Sequence, residues 1–242
     1  MQSDTMSVES EQDCGDRPVP DTPVRETWAF AFSVTGDLRF ISHRDTIRVF
    51  QRALARASLP VRYTEGFNPH PRLSLPLPRP VGVASEAEVI VVEFDQPIDG
   101  QDARRRLNDQ MPRDLHLSSA NRVESGDRFV PDLVRYRIEP PSGQVWSPEI
   151  VSRVTQRIEY VMQADILYID RETPGGKESR RIDVRSFLVK ARMEVDAVSF
   201  TLRVTAAGTA RPREVAAILG FDTEAVAFGI RRTAVEWHAQ KD

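Results

Sequence analysis

The stretch WAFAFSVTGDLRFISHRDTIRVFQRALARAS (residues 28–58) decides the fold, because its two ends follow different periodicities. Residues 28–34 alternate large apolar side chains with small ones, a period of two that is typical of a β-strand. After Ser42 the apolar residues recur every three or four positions, which predicts a helix over residues 43–58. Ser42 with Asp45 three residues later is a helix-capping pattern. The stretch therefore predicts a strand that leads into a helix.

The next segments extend this pattern into a complete unit. The sequence predicts strands at 61–64, 88–94 and 115–123, with a second helix over 99–111. The resulting order, βαββαβ, is the split βαβ or ferredoxin-like pattern. A weaker copy of the same order of elements follows residue 126. We therefore predict an α+β fold with two tandem ferredoxin-like domains, residues 26–125 and 126–242.

Residues 1–25 differ in composition from the rest of the chain. They carry six carboxylates and two arginines among several prolines, and so cannot bury enough apolar surface to fold alone. We predict a disordered acidic tail. Cys14, the single cysteine of the chain, lies in it, which excludes an internal disulfide and any cysteine-ligated zinc or iron–sulfur site. With no apolar run near 20 residues, we expect a cytoplasmic protein without membrane contact, and neither a metal nor a cofactor.

Three segments carry a family resemblance: FSVTGDLRFISH (residues 32–43), YTEGFNPHP (63–71) and PVGVASEAE (80–88). Together they resemble the radical-SAM-linked domain family, and the middle segment is the most specific. The resemblance implies a companion of radical SAM proteins, fused to them or separate, with no assigned reaction. A radical SAM enzyme needs three closely spaced cysteines for its cluster, and this chain has only Cys14. The expected partner is therefore a radical SAM protein that acts in trans.

Arginine dominates the basic residues and is placed regularly on the first predicted helix. Thirty of the 33 basic residues are arginine. The helix carries arginines four positions apart, and Asp45 is its only carboxylate. Such a row shares one helix face and suits an RNA backbone or an acidic protein surface. The alternative is a solvated face whose apolar stems pack along the helix.

His43 and His70 form a second candidate site. In a βαββαβ fold the first helix and the loop after the second strand begin at the same end of the sheet, so the two histidines should approach each other. Backbone donors at the helix N-terminus would complete an anion site. The alternative is that both residues only shape the backbone. The predicted binding residues are Arg39, Arg44, Arg48, Arg52, Arg56, Asn68, His70 and Arg72.

Glu86 and Glu88 are two positions apart on a predicted strand and therefore share a face. Such a pair suits acid–base work or a hard metal, and is otherwise a solvent-facing strand edge. The function expected first is an accessory module that works with a radical SAM protein and binds RNA or a translation-related partner. The alternatives are a metal-independent endoribonuclease that uses His43 and His70 as catalytic residues, and an adaptor that docks through the arginine helix face.

Overall fold

A computed structural model describes residues 25–124, 127–141, 144–172 and 179–241. The predicted tail, apart from Arg25, lies outside these ranges, and so does Cys14. The domain boundary expected at residues 125 and 126 also lies outside the described residues. So does the segment Pro174-Gly175-Gly176, whose composition predicts a turn.

The N-terminal half (residues 26–124) contains four strands and two helices. In chain order they are β1 (Glu26–Val34), α1 (His43–Arg56), β2 (Leu73–Ser74), β3 (Ala84–Phe94), α2 (Gly100–Asn108) and β4 (Leu115–Val123). A 3-10 helix, Gly36–Phe40, joins β1 to α1.

The C-terminal half (residues 127–241) contains six strands and two helices in its described part. They are β5 (Asp127–Ile138), α3 (Pro148–Gln163), β6 (Tyr168–Glu172), β7 (Ser179–Asp183), β8 (Leu188–Met193), β9 (Val198–Arg203), α4 (Pro212–Ile218) and β10 (Ile230–Lys241). A second 3-10 helix, Arg185–Phe187, precedes β8.

The strands of both halves form one mixed sheet. Its order is β4-β1-β3-β10-β5-β9-β8, with β2 also paired to β3, while β6 and β7 form a separate hairpin. β10 runs parallel to β3 and antiparallel to β5, so the C-terminal strand joins the two halves. The α+β class is confirmed. The expected tandem pair of ferredoxin-like units is not confirmed: β10 pairs with β5 of its own half at eleven positions and with β3 at two, so the two halves share one sheet.

Helix α1 forms where its sequence predicts it and covers the N-terminal half of the sheet. The Ser42 hydroxyl accepts a hydrogen bond from the Asp45 backbone N–H at 3.1 Å, which caps the first turn. Phe50, Ala53 and Leu54 are buried, and Phe50 meets Phe32 of β1 edge to face with ring centroids 4.9 Å apart. The apolar stripe therefore faces the sheet, and the opposite face of α1 is left to solvent.

The predicted strand at residues 61–64 is wrong in extent. Val61 makes one isolated bridge to Phe94, and the Arg62 N–H donates to the Glu93 carbonyl at 2.9 Å. The chain then leaves the sheet and returns at Arg72, whose N–H donates to the Arg62 carbonyl at 2.7 Å. β2 continues along β3 from Leu73. The GFNPHP loop is thus an excursion from the middle of an edge strand, not the connection at its far end.

Each half has its own cluster of buried apolar side chains. One cluster lies under α1 and α2, and the other is formed mainly by α3, α4 and strands β5, β8 and β9. None of the described helices is long and apolar enough to cross a membrane.

Candidate nucleic-acid interface

The four arginines of α1 lie on its solvent side. Arg44, Arg48, Arg52 and Arg56 are all exposed. The row covers three intervals of four residues, about 18 Å along the helix axis. Because α1 buries the opposite face against the sheet, the guanidinium groups project from the molecule. The row predicted from the sequence is therefore one continuous basic strip, which we call the α1 arginine row.

Two members of the α1 arginine row have no polar partner among the residues that the structure describes. Arg48 pairs with Asp45, with 2.8 Å between Nη1 and Oδ1, and Arg56 donates to the Gln110 carbonyl at 2.8 Å. Arg44 and Arg52 have neither an ion pair nor a hydrogen bond with any residue that the structure describes. The hydrogen bonds from Ser42 and Arg48 lower the pKa of Asp45, so the one carboxylate of the helix stays ionised at neutral pH. The row therefore remains net positive.

The two histidines are not brought together. His43 is half-buried and lines a small cavity with Phe32 and Glu88. His70 is exposed on the excursion. The excursion leaves the sheet beside Glu93 of β3, which pairs with Thr27 of β1. Thr27 and Phe32 are about 17 Å apart along β1. The described residues provide no hydrogen bond between the two imidazoles, and the cavity beside His43 is not lined by His70, so the expected approach of His43 and His70 is wrong.

The physical reason is the shortness of the edge strand. The prediction assumed that the chain runs the full length of a second strand before it turns. Instead it departs after Arg62, and the Thr64 N–H donates to the His70 carbonyl at 2.8 Å to close a local hairpin. Asn68 lies at the exposed tip of this hairpin, so the structure separates it, with His70, from the N-terminus of α1.

Arg72 lines a different feature, a cleft of about 1230 Å³ on the face of the sheet away from α1. Its guanidinium approaches Glu93 at 3.6 Å, and Arg62 meets the same carboxylate at 2.9 Å. Glu26 and Arg122 form another pair at 3.2 Å within the cleft wall. These arginines are compensated by carboxylates. The cleft is therefore a weaker candidate for an anion than the α1 arginine row.

Arg39 binds backbone oxygens and two aromatic rings. Its Nε donates to the Gly36 carbonyl and its Nη1 to the Phe228 carbonyl, both at 2.9 Å. The guanidinium carbon lies 5.6 Å from the ring centre of Phe40 and 5.8 Å from that of Phe228. Arg39 therefore fixes a segment of the C-terminal half against the 3-10 helix. Sequence reasoning selected Arg39 but had no signal for Phe228, which is distant along the chain.

Glu86 and Glu88 bind arginines, not each other. Glu86 meets Arg231 at 3.1 Å near the surface, whereas Glu88 meets Arg232 at 2.9 Å in the interior. No group of three or more histidine, cysteine or carboxylate side chains could hold a metal within the described ranges. The paired-carboxylate interpretation is therefore not supported by the geometry, which assigns both residues to contacts between β3 and β10.

The Glu88–Arg232 pair is the centre of a buried polar network that the sequence did not reveal. Arg232 is 1% exposed and also donates through Nη2 to the Pro78 carbonyl at 3.0 Å and to the Tyr136 hydroxyl at 3.2 Å. Arg79 is buried nearby and donates to the carbonyls of Arg39 and Val83, both at 2.7 Å. Strand alternation places Arg232 on the same side as Ile230, and this was the available signal.

Burial changes the titration of this network. Desolvation raises the pKa of the Tyr136 hydroxyl, which therefore stays neutral and accepts from Arg232. Desolvation also lowers the pKa of Arg79. For Arg232 the same burial opposes the charge, but contact with Tyr136 and Glu88 holds its pKa above the ordinary value. Arg232 is thus a permanent buried cation whose charge Glu88 neutralises.

Comparison with known proteins identifies a family. A family model described as "Uncharacterized protein conserved in bacteria (DUF2344)" matches residues 28–212, more than half of the chain. The match extends from β1 to the beginning of α4 and includes the whole α1 arginine row. A search of curated proteins found no match.

Proposed function

Since the chain belongs to this family of uncharacterized proteins conserved in bacteria, we propose that it is an accessory module that binds RNA through the α1 arginine row and works in trans with a radical SAM protein. The radical SAM partner rests on the sequence segments at 32–43, 63–71 and 80–88. RNA rests on the arginine row. The module supplies a binding surface, and the partner supplies the chemistry.

The observation that carries the RNA proposal is the pair of uncompensated arginines, Arg44 and Arg52. Exposed arginines elsewhere in the fold are often engaged, as Arg192 is with Glu194 at 2.6 Å and Arg203 with Asp132 at 3.5 Å. When an uncompensated guanidinium group binds a phosphate, cations condensed on the nucleic acid are released, which is the main source of non-specific nucleic-acid affinity. An acidic protein surface is the alternative ligand for the same row.

The organisation of the N-terminal half is consistent with a binding module. Within it the strand order is β4-β1-β3-β2, and all neighbouring strands are antiparallel. With α1 and α2 as crossovers, we infer a ferredoxin-like unit within residues 26–125 and a second α+β unit within 126–242. An endoribonuclease based on His43 and His70 receives no support from this geometry, because the two side chains lie apart.

The test is RNA binding as a function of salt. A fluorescein-labelled single-stranded RNA is titrated with the full chain between 50 and 200 mM salt, and anisotropy gives the Kd. The double variant Arg44→Gln/Arg52→Gln should bind more weakly, and the slope of log Kd against log salt should fall by about 1.4, since each phosphate contact contributes about 0.7 for a single strand.

The control is Arg192→Gln/Arg203→Gln, which removes the same charge from β8 and β9 at the opposite edge of the sheet. This control should retain the salt slope of the unmodified protein. Equal slopes for the two double variants would show that net charge, not the α1 arginine row, determines binding. If the unmodified protein binds an acidic protein from extract after ribonuclease treatment but no RNA, the RNA proposal is wrong.

A further inference from the structure

Two phenylalanines stand exposed beside the N-terminus of α1. Phe40 is 45% exposed and Phe228 is 66% exposed. Their rings meet edge to face, with centroids 5.8 Å apart and an interplanar angle of 71°. Phe40 ends the 3-10 helix of the N-terminal half, and Phe228 precedes β10 of the C-terminal half. Both halves therefore contribute one ring to the same exposed site, which we call the Phe40–Phe228 platform.

The Phe40–Phe228 platform is held by hydrogen bonds that leave its rings in solvent. Arg39 lies against both rings and donates to the carbonyls of Gly36 and Phe228. The Arg39 carbonyl in turn accepts from the buried Arg79 guanidinium at 2.7 Å and from the Gly82 N–H at 2.8 Å. Backbone on both sides of the rings is thus anchored, so the rings are positioned before any ligand arrives.

Gly82 forms part of the wall beside Phe40. Its φ of +87° is a conformation that glycine adopts without strain. A Cβ at this position would lie 3.8 Å from Cε1 of Phe40 and 3.5 Å from Nη2 of Arg213. Arg213 is about half exposed and faces Glu224 only at 3.8 Å. The platform is therefore bordered by the guanidinium groups of Arg39 and Arg213, and Arg44 follows Phe40 by four residues.

We propose that the Phe40–Phe228 platform stacks an unpaired base of single-stranded RNA while the α1 arginine row binds the adjoining phosphates. This inference rests on the proposed function and adds the form of RNA that the surface selects. Proteins usually hold unstacked bases with aromatic rings that lie beside arginines. Each base offers a π-face to a ring, and each linkage between nucleotides carries a phosphate that an arginine can bind. The mixture of rings and cations fits a nucleotide better than a purely apolar partner.

The test uses RNA that carries a single 2-aminopurine, whose fluorescence is quenched when it stacks on an aromatic ring. The variant Phe40→Leu/Phe228→Leu keeps apolar bulk at two partly exposed positions and removes both rings. We expect about a tenfold loss of affinity for single-stranded RNA, and loss of the quenching, since one stacked base contributes roughly that factor or more. The salt slope should not change, because the α1 arginine row is intact.

The matched control is Tyr168→Leu, which removes an equally exposed ring that also lies beside an arginine, Arg181 at 4.2 Å. It should leave both affinity and quenching unchanged. If Phe40→Leu/Phe228→Leu binds single-stranded RNA normally while Arg44→Gln/Arg52→Gln is impaired, the platform is wrong and the proposed function stands. If the phenylalanine variant instead loses a protein captured from extract and still quenches 2-aminopurine, the platform is a protein-docking site.

Discussion

Replacement of Glu88 by glutamine tests whether the two halves depend on their buried ion pair. β3 and β10 are paired at only two positions, Arg231 with Ala84 and Arg232 with Ser85. The side-chain contact between Glu88 and Arg232 is therefore a large part of the connection. Glu88→Gln keeps the size of the side chain but removes the only negative charge in a network that also contains the buried Arg79.

The magnitude follows from the burial of both partners. Glu88 is 5% exposed and Arg232 1% exposed, and removal of one partner of such a pair typically costs about 3–5 kcal/mol. Glu88→Gln leaves two neighbouring arginine cations without an anion, so we expect the upper end of that range. Arg232→Met leaves Glu88 near Arg79, so the lower end is expected. For a chain of this length these costs correspond to a Tm lower by about 6–20 °C.

The assay is calorimetry and urea unfolding of the full chain at neutral pH. Glu86→Gln is the control, because it disrupts the adjacent Glu86–Arg231 pair on the same two strands, where the carboxylate is 52% exposed. That change should cost less than about 1 kcal/mol. A Glu88→Gln midpoint no lower than that of Glu86→Gln would refute the reasoning. A Glu88→Gln variant that is more stable than Arg232→Met would also refute it. Such a result would show that the Arg79 cation does not depend on the Glu88 carboxylate.

Two further predictions concern acid stability and the platform wall. Glu26 is buried, and hydrogen bonds from Trp28 at 3.0 Å and Ile98 lower its pKa below the ordinary 4.5. Its contribution to the free energy of unfolding is therefore complete above pH 4.5 and is lost as the pH falls below that value. In urea titrations at a series of pH values, Glu26→Gln should reduce the loss of stability on acidification. An unchanged loss would contradict the assignment. Gly82→Ala should lower the free energy of unfolding by about 1–3 kcal/mol because its φ is +87°, and should weaken RNA binding because strain there disturbs the hydrogen bond from the Gly82 N–H to the Arg39 carbonyl. Gly66→Ala in the exposed excursion should leave RNA binding intact in the same anisotropy titration.

Local periodicity predicted most of the elements. β1, β3, β4, α1 and α2 lie where alternation and helical spacing place them. Each of these elements buries one face, and burial of one face produces the periodic pattern of apolar residues from which it was predicted. The exposure of the α1 arginine row could also be predicted, because the apolar stripe of the helix must face the sheet and the opposite side must face solvent.

The pairing of segments that are distant along the chain could not be predicted from the sequence. β10 joins β3 at only two residues, and no local pattern at Ala84 or Arg231 indicates that contact. The excursion at 63–71 interrupts an edge strand, and a breaker-rich loop has the same composition wherever it leaves the sheet. The expected meeting of His43 and His70 failed for this reason. The sequence did not predict the burial of Arg232, because arginine is rarely buried without a partner, and its partner Glu88 lies in the other half of the chain.

The buried network and the exposed platform are parts of one arrangement. Phe228 lies two residues before β10, and Arg232 lies at the third position of that strand. The Glu139 N–H donates to the Gly229 carbonyl at 3.0 Å and fixes the backbone between them. A buried ion pair adds little net stability compared with apolar side chains of the same size, so we infer that its value here is positional. By locking β10 against β3, the Glu88–Arg232 pair sets where Phe228 meets Phe40, and the function that we propose requires that surface to be fixed.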